Sequence, residues 1–161
     1  MWITTGCKQP LLLLRNTGKG FITVSPSAGQ VFETPLAARG AAVGDLNNDG
    51  QPDIVVGVLN ASPVILRNNG TKNHWVGFAL IGTKSNRSAI GARLTVTDIA
   101  GHKRIFDVTT AGSYLSSSDP RIIVGLGTAT SVRAVEVRWP SNRSQIMENP
   151  SIDQYHTITE R

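Results

Sequence analysis

The 161-residue chain has one cysteine, two methionines and three histidines, only 17% of its residues are charged, and no apolar run approaches the length of a membrane-spanning helix. Cys7 has no partner for an internal disulfide, so cysteine usage is compatible with a reducing or an oxidising compartment. His74, His102 and His156 are far apart and outside any metal-ligand or nucleophile spacing, and Ser113, Ser116, Ser117 and Ser118 lack a G-x-S-x-G elbow. These shortages weigh against catalysis, and a divergent hydrolase using two distant carboxylates stands third among the functional readings. At the amino terminus, four leucines at 11–14 fall short of a secretory h-region, and too few residues precede Cys7 for a lipid anchor. The expectation from that stretch is a chain with no export signal of its own, either cytoplasmic or a piece of a longer exported protein.

What is plentiful is turn chemistry. Sixteen Gly and eight Pro separate short Val/Ile/Leu/Thr-rich runs, a pattern that penalises helix interiors and favours an all-β fold. The hydrophobic share of 40% is enough for a globular core without staples. The net charge of +5 is diffuse, with six basic against four acidic residues through Lys72 and ten against seven beyond. Nucleic acid is therefore not expected as a partner, since its binding surfaces gather Lys and Arg on one stripe.

Residues 12–18 (LLLRNTG) and 64–70 (VILRNNG) repeat at an offset of 52, each reading as a strand that ends in an Asn/Gly turn. A period near 50 is in the range of propeller blades. Strands are expected at 20–24 and 30–33, residues 41–44 enter an Asp-rich turn, and 54–58 leaves it as a strand buried on both faces. Beyond a boundary near residues 69–73, seven more are expected at 75–81, 92–97, 103–109, 122–124, 132–139, 144–147 and 155–159, enough for an antiparallel β-sandwich. Gly101 is expected to close a hairpin at 98–102, and Trp75 and Trp139 to fill the sandwich core.

Three of the seven aspartates fall within the nine residues 45–53, DLNNDGQPD. Alternate side chains of a tight loop converge, so Asp45, Asn47 and Asp49, the carbonyl of Gln51 and the carboxylate of Asp53 form an all-oxygen ligand set suited to Ca²⁺. An EF-hand is excluded, because position 12 is Val56 and a β run follows. The competing reading is a polar Asx-type turn without metal.

At these residues the chain resembles the FG-GAP/VCBS repeat, whose calcium loop D-x-[DN]-x-[DN]-G-x-x-D lies between blade strands of integrin-type propellers. The resemblance implies the ligand role for Asp45, Asn47, Asp49 and Asp53, with Gln51 through its carbonyl. Residues 73–75 (NHW), 82–87 (GTKSNR), 90–92 (IGA), 112–121 (GSYLSSSDPR), 125–127 (GLG) and 137–141 (VRWPS) resemble the ASPIC/UnbV domain, as in the carboxy-terminal part of cartilage-acidic-protein-like chains, which usually follows FG-GAP repeats. The resemblance implies binding and adhesion, in an extracellular or periplasmic setting, with no established catalytic mechanism.

The 112–121 loop could bind a sugar or peptide through Tyr114, Ser116, Ser117, Ser118, Asp119 and Arg121, or could satisfy its own backbone with Tyr114 half-buried and Asp119 paired to Arg121 or Arg87. The expected organisation is a partial FG-GAP-like β region over 1–72 and an ASPIC/UnbV-like sandwich over 73–161. A partial blade leaves open strand edges, which should extend the sandwich's sheet or be covered by a second copy in a homodimer. The leading functional expectation is a noncatalytic, calcium-ordered adhesion module for a protein partner, and the second is a carbohydrate-binding module.

Overall fold

The computed structural model describes residues 8–70 and 72–161, so Cys7 and the residues before it lie outside the described residues. The chain is almost entirely β. A hairpin of β1 (Leu14–Asn16) and β2 (Phe21–Thr23) comes first, then a meander of β3 (Ala38–Gly44), β4 (Asp53–Val58) and β5 (Val64–Leu66). The two sequence repeats share the same turn: Asn16 Oδ1 accepts the N–H of Gly18 at 2.8 Å and Asn68 Oδ1 that of Gly70 at 2.9 Å, with both glycines at positive φ.

Two expectations for this region are corrected. Residues Gln30–Glu33 form a 3-10 turn instead of a strand, because Gly29 at φ 122° redirects the chain and local bonds Phe32 N–H to Gly29 and Thr34 N–H to Val31 close it. In β4, Val56 is the one buried apolar side chain, and Ile54 and Val55 are only half-covered.

Seven strands then form the sandwich: β6 (His74–Ile81), β7 (Arg93–Thr97), β8 (Lys103–Asp107), β9 (Ile122–Gly127), β10 (Ala134–Arg138), β11 (Ser144–Glu148) and β12 (Tyr155–Thr159). One sheet has the order β11-β10-β7-β8 and the other β12-β6-β9. The expected antiparallel sandwich includes one parallel pair, in the second sheet: β12 crosses from the opposite sheet through residues 149–154 and runs parallel to β6. Alternate residues point inward, and Val76, Phe78, Leu94, Val96, Ile122, Val124, Val135, Val137 and Ile158 form one core with Trp139.

Where β11 and β12 leave the sandwich open, Gln145 bridges it. Its Nε2 donates to the Thr159 carbonyl at 3.1 Å, while its Oε1 accepts from Trp139 Nε1 at 3.0 Å and from the Arg161 N–H at 3.3 Å. The other face of β6 carries Trp75 and Gly77. A Cβ at Gly77 would come within 2.3 Å of the Tyr155 ring, so glycine there is what lets Tyr155 lie flat on the sheet. The turn that follows β3 is seated on this outer face, with Gly50 against Trp75 and Asp45 bonded to Tyr155.

Candidate functional site

β3 delivers Asp45 and β4 begins at Asp53, so the nine-residue turn between them brings its two terminal carboxylates inside, each 3% exposed. Buried carboxylates require donors, and the turn supplies them. Asp45 Oδ1 accepts the Asp49 N–H at 3.1 Å and Oδ2 the Gly50 N–H at 2.8 Å; Asp53 accepts the N–H groups of Leu46 at 3.1 Å and Asn68 at 2.8 Å. Asn48 and Gly50 make the sharp bends at φ 60° and 80°. Burial alone favours the neutral form of Asp45, but the Tyr155 hydroxyl and the amides of Gly50, Asp49 and Asn48 outweigh it and hold the pKa below its ordinary value.

The remaining predicted ligands lie on the exposed rim. Asn47 donates through Nδ2 to Asp49 Oδ2 at 2.7 Å, and Asp49 Oδ1 accepts the Gln51 N–H at 2.9 Å. Among the described residues, no three Asp, Glu, His or Cys side chains are gathered closely enough to enclose a metal. The donor chemistry fits a hard cation all the same. Every side-chain donor is oxygen, and a carboxylate oxygen holding one N–H keeps a second lone pair, which is the condition of both Asp49 oxygens, both Asp53 oxygens and Asp45 Oδ1.

The loop rests on three side chains from the sandwich. Gly50 is against the Trp75 indole, where a Cβ would come within 2.0 Å of the ring. Tyr155 meets Trp75 edge-on, centroids 5.1 Å apart, and its hydroxyl donates to Asp45 Oδ2 at 2.7 Å. Burial and the neighbouring Asp45 push the Tyr155 pKa well above that of a free phenol. Arg121 stacks over the Tyr155 ring at 4.6 Å and forks onto the loop, through Nη2 to the Asp45 carbonyl at 2.8 Å and Nη1 to Asn48 Oδ1 at 2.6 Å.

The order of the two units agrees with sequence families. Residues 37–72 match the FG-GAP repeat, and residues 82–161 match the family described as ASPIC and UnbV. This chain joins an FG-GAP repeat to an ASPIC/UnbV domain. No curated protein matches the chain. The pair of families points to an extracellular or periplasmic interaction module of a typically non-enzymatic kind. Among the described residues, no helix is long and apolar enough to cross a membrane.

In the ASPIC/UnbV domain, the 112–121 loop lies along the free edge of β3. Ser113 Oγ accepts the Ala41 N–H at 3.3 Å, Ser118 Oγ accepts the Val43 N–H at 3.2 Å, and the Asp119 N–H donates to the Val43 carbonyl at 2.9 Å. This edge is thus covered by a loop of its own chain. Asp119 is paired to Arg121, with Oδ2 2.7 Å from Nε and 2.6 Å from Nη2, and Ser116 Oγ donates to the Tyr114 carbonyl at 3.1 Å. Tyr114 is 67% exposed at the tip, where Leu115 follows at positive φ. Ser117 lines an open cleft beside β3 with Asn48, Asp119 and Arg121. Of the predicted ligand-binding set, the structure gathers Ser117, Asp119 and Arg121 beside the FG-GAP loop and leaves Tyr114 apart.

Sequence reasoning missed two groups. Tyr155 gave no signal, since 110 residues separate it from Asp45. Glu160, 3% exposed, is also unannounced. Its Oε2 accepts three successive amides, Thr83 and Lys84 at 2.8 Å and Ser85 at 2.7 Å, while Oε1 accepts the Ser85 and Ser141 hydroxyls. The G-T-K-S turn thus serves as a nest for this carboxylate.

Burial opposes ionisation of Glu160, but the Ser141 hydroxyl and the three amides prevail and lower its pKa from 4.5 to about 2. A folded-state pKa below the unfolded one contributes stability that is complete above about pH 4.5 and is lost as the pH falls toward about 2. Glu160→Gln is expected to lower Tm by more than about 4 °C at neutral pH, because a neutral amide oxygen accepts the three N–H groups more weakly than a carboxylate and the NH2 must replace an acceptor of two hydroxyls. Thermal melts from pH 7 to pH 2 should show the gap to wild type closing at the acid end, and a gap independent of pH would contradict this role.

Proposed function

We propose that the chain is a noncatalytic, calcium-binding interaction module for a protein partner. An FG-GAP-type region over 1–72 supplies the cation loop, and an ASPIC/UnbV-type sandwich over 73–161 supports it. Asp45, Asn47, Asp49 and Asp53, with the Gln51 carbonyl, hold the ion. The carrying observation is a loop of oxygen donors closed at both ends by buried carboxylates, Asp45 and Asp53, each with a lone pair to spare. A bound cation would relieve the mutual repulsion of the three carboxylates and bring the exposed rim residues Asn47 and Asp49 under the same constraint as the buried pair.

Thermal unfolding in calcium, magnesium and chelator tests the reading. At a calcium concentration about 100-fold above Kd, a native-state ligand adds about 2.7 kcal/mol, which for a chain of this size is a rise of roughly 5–10 °C. Magnesium should give less, because it demands a stricter octahedron and retains its waters. No calcium-dependent rise, together with no heat in a calcium titration, would overturn the reading.

A carbohydrate-binding reading has one observation in its favour, the Tyr114 ring standing 67% exposed at a loop tip. Glycan-array binding that disappears in Tyr114→Ala would select it over the protein-partner reading.

A further inference from the structure

We infer that Tyr155 and Arg121 of the ASPIC/UnbV domain are positioning residues for the FG-GAP cation loop, so that the site is completed by a domain that supplies none of its ligands. The inference rests on the calcium reading above and adds what sets the affinity of that site.

Asp45 is the residue through which the effect acts. Its Oδ2 takes two donors, the Tyr155 hydroxyl at 2.7 Å and the Gly50 N–H at 2.8 Å, which use both lone pairs. Its Oδ1 takes the Asp49 N–H at 3.1 Å, with the Asn48 amide also turned toward the carboxylate, and is the less occupied of the two oxygens. Tyr155 therefore decides which oxygen of Asp45 is left for a cation, and fixes the carboxylate rotation in advance of binding. Without the hydroxyl, the group could rotate between two nearly equivalent states, and an ion would have to select one of them.

Arg121 does the same for the backbone. Its fork spans the Asp45 carbonyl and Asn48 Oδ1, at 2.8 and 2.6 Å, and so holds the first turn of the loop closed. A guanidinium beside a cation site would repel the ion, but Asp119 Oδ2 is 2.6 Å from Arg121 Nη2 and offsets that charge. Tyr155 stacking fixes the plane of the fork, and Trp75 beneath Gly50 fixes its height. Coupling of this kind is reciprocal: a cation that favours the seated loop also favours docking of the two domains, by the same factor.

The test uses the full chain and calcium chloride. Tyr155→Phe keeps the ring, its contact with Trp75 and its stacking under Arg121, and removes one hydroxyl. Calorimetric titration should show the calcium Kd raised about tenfold, the effect of losing one charge-assisted hydrogen bond. Amide hydrogen exchange of the calcium-free variant should be faster at Asp49 and Gly50 while β12 and β6 keep their protection; a merely structural tyrosine would loosen those strands instead. Arg121→Lys should also weaken binding, since a point charge cannot span both acceptors. Calcium affinity within twofold of wild type in Tyr155→Phe, with Asp49 and Gly50 equally protected, overturns this inference alone. Absence of calcium heat in the wild-type protein overturns the calcium reading and this inference with it.

Discussion

Trp139→Ala is expected to destabilise the chain by about 3–5 kcal/mol, measured by denaturant unfolding, the usual range for emptying a buried indole site. Trp139 is 2% exposed and belongs to the single core of the sandwich, so its removal leaves a cavity bounded by both sheets. The indole also donates to Gln145, which ties Thr159 and Arg161 across the gap between β11 and β12. The cavity and the loosened bridge act on the same place. Trp139→Phe should therefore lose less, because it keeps most of the volume and gives up mainly the hydrogen bond. A loss under about 1 kcal/mol for the alanine variant would show that the sheets close over the cavity, contrary to the close packing described.

Gly50→Ala is the second large effect. The added methyl would come within 2.0 Å of the Trp75 ring, and the residue holds φ 80°, which L side chains adopt at a cost. Trp75 is 9% exposed and packed by Tyr155, so it has little room to retreat. Overpacking and backbone strain together should weaken the seating of the loop by about 2–4 kcal/mol. The damage should be local. The main core begins at Val76, whereas Ala37 and Val56 are the only buried apolar side chains among the described residues before Trp75. Hydrogen exchange should accordingly show β3 and β4 losing protection while β9 and β10 retain it. Uniform loss across all strands would mean that the meander and the sandwich unfold as one cooperative unit.

Local chemistry made much of this architecture legible. Alternation in 132–139 identified β10, and Gly101, found at φ 89°, closes the expected hairpin between β7 and β8. Asp98 Oδ1 accepts the His102 N–H across that turn at 2.9 Å. The loop at 45–53 stood out because clustered carboxylates need an explanation within a few residues of chain. The features that escaped notice depend on partners distant in sequence. Nothing near Tyr155 announces Asp45, and nothing near Glu160 announces the amides of Thr83, Lys84 and Ser85. The parallel pairing of β12 with β6 was hidden for the same reason, since strand direction depends on the route taken by residues 149–154. At Gln30–Glu33 the failure was local: the four residues have strand-like composition, and Gly29 overrides it. Burial of Ile54–Val58 on both faces was overestimated because an apolar run reports what a strand can bury and not what lies opposite it. The serines of 112–121 left two readings open from sequence, and in the fold Ser113 and Ser118 accept amide protons from β3.

The long reach from Asp45 to Tyr155 has a consequence for biosynthesis. A ribosome adding about 5–20 residues per second makes the tyrosine roughly 5–20 s after the aspartate, given their separation of 110 positions. Throughout that interval the nascent chain carries its acidic turn with no phenol to hold it, although Trp75 and the strands β6 and β9 that present it are made before the tyrosine.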